Sequence, residues 1–282
     1  MRWQGGRRGG NIDDRRGMGG AGIAGGGIGA LVLAAIGYFV FGIPPETTQQ
    51  ITSQLGGVGS AEQGTQGSPQ DQAGAFVDVI GTNVDDVWRQ KLPGYQPPTV
   101  TLYEQGAQTG CGFGQAAMGP FYCPTDRHVY LDLSFWAQME SQLGASGADF
   151  ARAYVIAHEY GHHVQTLTGA SQRVQQAQQR AAGQAEANRY SVGLELQADC
   201  YAGVWAANAS AVSNGQVALE AGDLEEGMKT ANAIGDDNLQ RRGGGRVSPE
   251  GFTHGSSAQR VDALRRGYQS GDPRVCDTYS AI

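Results

Sequence analysis

His158-Glu159-Tyr160-Gly161-His162 lies in a run from about Asp149 to Thr168 that reads as one helix, and this HExxH string decides how the chain is read. On a helix, residues four apart share one face, so both imidazoles can reach one metal ion while Glu159 sits beside them. Asp149 near the start and Gly169 just past the end fit the preferences of helix termini. The centre expected from the string is a single Zn2+ held by His158 and His162, with Glu159 as general base.

Outward from this helix, Ala75 to Leu92 carries Phe76, Val77, Ile80, Val84, Val87 and Trp88 at spacings that make one apolar face, so a folded domain is expected from residue 73 to 282. Thr99 to Tyr103 and Val129 to Leu133 are β-branched and aromatic and read as strands. Ser134 reads as the cap of a helix through about Leu143, and Gly144 to Gly147 break the chain before the HExxH helix. Further helices are expected over Ser171 to Ala182, Ala187 to Ala209, Asn214 to Ile234 and Ser256 to Gln269. The fold class is α+β, mainly helical, with a small antiparallel sheet ahead of the HExxH helix.

The N-terminal quarter differs in composition. Arg2, Arg7, Arg8, Arg15 and Arg16 oppose only Asp13 and Asp14 in the first twenty residues, although the whole chain has a net charge of -7. Ala21 to Ile43 contains no charged residue and is apolar over about the ~20 residues that a membrane-crossing helix needs. Residues 1–20 therefore read as an Arg/Gly-rich cytoplasmic tail, 21–43 as one transmembrane anchor in the lipid bilayer, and 44–72 as a flexible linker. A cleaved signal peptide is the rival reading, but the span is long for one and no small-residue cleavage pattern follows it. No basic stripe with interleaved aromatics occurs in the acidic part, which excludes nucleic acid as the expected partner. Oligomeric state is not legible.

Cys111, Cys123, Cys200 and Cys276 all fall beyond the apolar stretch, an even number that suits an oxidising compartment. Three connectivities are possible. Short separation and expected β-structure favour Cys111 with Cys123, leaving Cys200 with Cys276; buried free thiols are the alternative.

Two histidines do not complete a zinc site, which takes three protein ligands and keeps one position open. The metzincin extension would place glycine and histidine where this chain has Gln165 and Thr168, so that class is excluded. His163 is offset by one residue from His162 and points elsewhere, in a supporting or structural role. Glu195 and Asp199 are again four apart, so one helix face could give a carboxylate to the metal and another to a ligand histidine. Spacing alone leaves a pair of solvated carboxylates equally open.

The strings HEYGHH at 158–163 and LELQADCYAGVWA at 194–206, with TGCG at 109–112 and GPFYCPTDRHVYLDLSFW at 119–136, resemble the bacterial neutral zinc metallopeptidase family over roughly residues 75 to 275. The resemblance implies a zincin-like, gluzincin-type domain anchored in the bacterial inner or cytoplasmic membrane, its catalytic part periplasmic or extracellular. It also assigns Glu195 as third metal ligand and Asp199 as support for a histidine, as in integral-membrane proteases that process prenylated proteins. Thr253 to Arg260 is similar to the HPxxxxR segment of those proteases, with Gly255 replacing proline. That parallel would make His254 a donor to a developing oxyanion and Arg260 a holder of a carboxylate or substrate backbone. A helix-start histidine and a core-bracing arginine are the alternative.

The function expected is hydrolysis of a peptide or protein substrate by a zinc-activated water. The competing class is a membrane-tethered, zinc-stabilised binding module or degenerate peptidase, against which the intact Glu159 speaks.

Overall fold

A computed structural model describes residues 1–17, 64–115 and 119–279. Its first element departs from the expected tail: Ile12–Asp14 (β1) is an interior strand of a five-stranded sheet, between Thr65–Gln66 (β2) and Thr99–Tyr103 (β3). β1 runs antiparallel to β2, with Asp14 opposite Thr65, and parallel to β3, with Ile12 opposite Val100. Residues 64–72, expected as the end of the linker, also belong to the fold, because β2 lies there and Asp71 caps the next helix by accepting from the Gly74 N–H at 2.9 Å. The expected anchor at 21–43 and most of the linker lie outside the described residues. Among the described residues, no helix is long and apolar enough to cross a membrane.

Gln72–Lys91 (α1) buries the apolar face read from its sequence, including Phe76, Ile80, Val84 and Trp88. After β3 come a separate antiparallel hairpin, Gly106–Thr109 (β4) with Gly112–Gln115 (β5), and then Phe121–Cys123 (β6) and His128–Asp132 (β7). The sheet order is β2-β1-β3-β7-β6. The expectation of an antiparallel sheet is corrected here, since β1, β3 and β7 are mutually parallel and only β2 and β6 run against their neighbours. The cause is β6: it runs back along the sheet before the chain turns, so β7 points the same way as β3.

The helices that follow are Phe135–Leu143 (α2), Asp149–Leu167 (α3), Ala170–Arg180 (α4), Gln184–Val212 (α5), Asp223–Ala233 (α6), Asp236–Arg242 (α7) and Ser257–Ser270 (α8). A single helix expected over Asn214 to Ile234 does not form. Asn214 and Gly215 adopt left-handed φ of 51° and 79°, which ends α5, and Ala218 then pairs its backbone with Arg2 before α6 begins. α8 carries a complete capping box between Ser256 and Gln259. Both favoured disulfides are present, Cys111 with Cys123 joining the hairpin to β6, and Cys200 with Cys276 joining α5 to a C-terminal 3-10 turn.

Three glycine contacts set the helix spacing that matters for the site. A Cβ on Gly161 would lie 2.9 Å from the Ala198 Cα, so α3 and α5 meet backbone to backbone. On the other side of α5, Gly203 faces the Leu264 carbonyl and Gly267 faces that of Cys200, with no room for a side chain. These approaches bring the HExxH turn, the Glu195–Asp199 turn and Arg260 together inside one core.

Candidate metal centre

His158 and His162 come from α3 and Glu195 from α5, and one ligand atom from each lies within 4.8 Å of the others. Nε2 of His158 is 3.2 Å from one Glu195 oxygen, and Nε2 of His162 is 3.5 Å from the other. Tetrahedral zinc with ordinary bond lengths separates its ligand atoms by about 3.3 Å. The two-nitrogen, one-carboxylate set therefore fits zinc in spacing and in kind.

Each ring is turned by its other nitrogen. His158 Nδ1 lies 2.8 Å from Asp199 Oδ1, a carboxylate that can only accept, so Nδ1 carries the proton and Nε2 faces the centre with its lone pair free for a metal. His162 Nδ1 lies 2.9 Å from Gln165 Oε1. The amide orientation is fixed independently, because Gln165 Nε2 donates to the Leu194 carbonyl at 2.7 Å and to Gln197 Oε1 at 3.0 Å. His162 Nδ1 must then donate, and its Nε2 is aimed at the same point. Gln165, which in the sequence served only to exclude another class, thus orients the His162 ring. Its position one turn beyond His162 on the same helix was the available signal.

Asp199 is fully buried and receives four hydrogen bonds. Besides His158, Tyr154 donates its hydroxyl at 2.6 Å, and Arg260 donates through Nε at 2.8 Å and Nη2 at 3.0 Å. Burial pushes the Asp199 carboxyl up, but the Arg260 guanidinium and His158 outweigh it and hold the pKa down at about 2. Arg260 is itself buried, at 4% exposure, and the carboxylate it pairs with is that of Asp199.

Glu195 and His162 keep side-chain exposures of 18% and 21%, so solvent reaches the group from their side. Burial opposes ionisation of Glu195, yet His162, His254 and His158 hold its pKa well below the usual range. Glu159, 6% exposed, is lifted to about 8 by burial, against the pull of His158. Burial thus favours the protonated form of the carboxyl that directly follows His158 on α3.

His254 stands in the electrostatic field of both Glu195 and Glu159. Its loop is clamped by Asp236, a residue that sequence reasoning missed because nothing local connects it to a segment 18 positions later. Asp236 Oδ2 accepts the backbone N–H groups of Thr253, His254 and Gly255 at 2.7, 2.7 and 3.0 Å, and Oδ1 lies 3.2 Å from His254 Nδ1. Burial disfavours a charged His254, but Glu195 and Asp236 outweigh it and raise its pKa. His163 faces elsewhere, with Nε2 donating to the Gln96 carbonyl at 2.6 Å and Nδ1 lying 3.0 Å from the Tyr122 hydroxyl, so it ties α3 to β6. Cavities of about 150 and 240 Å³ lie under Trp88 and Trp3, and neither is lined by a member of the metal group.

A family model described as "Putative neutral zinc metallopeptidase" matches residues 1–279. Among curated proteins, the chain is 46% identical to the uncharacterized protein YpfJ of Escherichia coli K12 over 296 positions, covering 99% of each chain. It is 48% identical to the uncharacterized protein Rv2575 of Mycobacterium tuberculosis H37Rv over 211 positions, 73% of this chain and 70% of the relative. No solved structure matches it. The chain belongs to this zinc metallopeptidase family over residues 1–279.

Proposed function

We propose that the protein is a zinc-dependent metallopeptidase that hydrolyses peptide bonds, with Glu159 as general base and His158, His162 and Glu195 as metal ligands. The observation that carries this reading is the convergence of three ligand atoms within 4.8 Å, with the Glu159 carboxyl buried next to His158 on the same helix. Zinc bound there supplies Lewis acidity toward water and a peptide carbonyl. Glu159 takes a proton from the attacking water and returns it to the departing amine. His254, oriented through Asp236, donates toward the carbonyl oxygen as negative charge develops on it. Asp199 and Gln165 keep the two ligand rings in the tautomer and direction that binding requires. Arg260 and Tyr154 act one step further out, by holding Asp199. Tethering to a bilayer through residues 21–43 is part of the same proposal.

The test uses the purified full chain, assayed for zinc content and for chelator-sensitive cleavage of a mixed peptide library. Glu159→Gln is expected to keep the metal and abolish turnover, while His158→Ala loses the metal. Full cleavage by Glu159→Gln would sink the assignment. Stoichiometric zinc with no cleavage by the wild type would favour a zinc-stabilised binding module.

A further inference from the structure

The basic charge of the first seventeen residues is matched within the folded domain. Arg7 reaches Asp86 at 2.6 Å, Arg8 reaches Asp78 at 3.3 Å, and Arg16 reaches both Asp14 and Asp71 at 2.6 Å. Arg15 pairs with Asp13 at 2.7 Å and donates to the Gln108 carbonyl. Trp3 is buried and donates its indole N–H to Asp149 on α3 at 2.8 Å. Between these contacts β1 fills an interior place in the sheet, with Ile12 in the same apolar core as Val100, Val129 and Trp205.

We propose that residues 1–17 and the metallopeptidase domain lie on the same side of the membrane, so that the chain between them makes no net crossing. Paired strands stand about 4.8 Å apart. Asp14 is directly opposite Thr65, and Asp14 and Leu102 are register partners across the next ladder. A hydrocarbon layer of about 30 Å cannot separate such partners. Gly17 and Gly64, the described residues on either side of positions 18–63, therefore lie at the same end of the β1–β2 pair. The arginines that a positive-inside count assigns to the cytoplasm have a different explanation, since Arg7, Arg8, Arg15 and Arg16 neutralise acidic groups of their own fold. Both disulfides belong to the same folded body, so the compartment that oxidises them also holds the N-terminal segment. The inference is independent of whether the chain hydrolyses peptides.

All four cysteines of the chain are in disulfides, so one added cysteine gives one reactive thiol. Gly5 and Ser270 are exposed, and a Cβ at Gly5 meets open space. Full-length Gly5→Cys and Ser270→Cys would each be treated with a membrane-impermeant maleimide in spheroplasts, intact and permeabilised, with the denatured protein as reference for complete labelling. Gln4→Cys, also exposed, serves if Gly5→Cys does not accumulate. The two positions are expected to behave alike, both labelled in intact spheroplasts or both only after permeabilisation. Labelling of Ser270→Cys in intact spheroplasts with Gly5→Cys or Gln4→Cys protected until permeabilisation, or the reverse, would overturn the proposal.

Discussion

Arg260 grips Asp199 at two points, Nε to Oδ2 at 2.8 Å and Nη2 to Oδ1 at 3.0 Å, with both side chains buried. The carboxylate that orients His158 is therefore itself oriented, and its charge is balanced without a metal. Removing one member of a buried ion pair strands the other, at a cost of about 3–5 kcal/mol. Arg260→Ala is expected to lower unfolding free energy by about that amount and to weaken zinc binding, because His158 loses a fixed partner. Arg260→Lys keeps the charge but not the fork, and should fall between the two. Denaturant unfolding and chelator competition on the same samples measure both effects; a wild-type zinc affinity in Arg260→Ala would refute the link.

Gln165 holds His162 through a neutral amide where His158 has a carboxylate. Gln165→Leu leaves the imidazole Nδ1–H and the Leu194 carbonyl without their partners. Loss of such support typically weakens metal binding about 10–100-fold. Zinc affinity should fall in that range while far-ultraviolet circular dichroism stays native, and chelator titration would read it.

Asp236 is expected to act on turnover and not on the metal. In Asp236→Asn the remaining carbonyl can still accept backbone N–H groups, but an amide N–H then faces His254 Nδ1 in place of a carboxylate oxygen. The kcat should drop by up to roughly a hundredfold with little change in KM, as when an oxyanion-directed donor is misplaced. Zinc content is expected to remain stoichiometric. Unchanged kcat would remove His254 from the proposed mechanism.

Asp85 predicts a pH effect away from the metal group. Burial lifts its carboxyl to about 7, opposed by a hydrogen bond from the Tyr95 hydroxyl at 2.8 Å. The folded state thus keeps a proton that the unfolded chain releases near pH 4. Its contribution to stability is full below that pH and is lost as pH rises through about 7, with a slope of at most about 1.4 kcal/mol per unit. Asp85→Asn should flatten the unfolding free energy between pH 4 and 7. An unaltered slope in denaturant melts would show that Asp85 does not titrate in this window.

The HExxH helix was legible down to its ends, and so were α1, β3, β7 and α8, because each announces itself by local periodicity and caps. Glu195 and Asp199 were visible as a pair of carboxylates at helical spacing, but spacing gave no reason to prefer metal over solvent. The parallel centre of the sheet was not legible, since strand direction depends on the path taken by β6. Nor was the non-helical stretch from Asn214 to Gly222, within which Ala218 pairs its backbone with Arg2.

The amino-acid sequence by itself determined that two imidazoles and a carboxyl share one helical turn, because backbone geometry fixes which neighbours face the same way. Only the tertiary structure decided which residues stand behind them. His158 meets Asp199 across 41 residues, Arg260 meets Asp199 across 61 and Tyr154 meets Arg260 across 106. The arginines of the first seventeen residues likewise took their meaning from distant partners, Asp86 lying 79 positions from Arg7 and Gln108 lying 93 from Arg15. Such contacts are set by how closely helices and strands pack, and a local pattern of residues cannot report which distant surface will fill the space beside it.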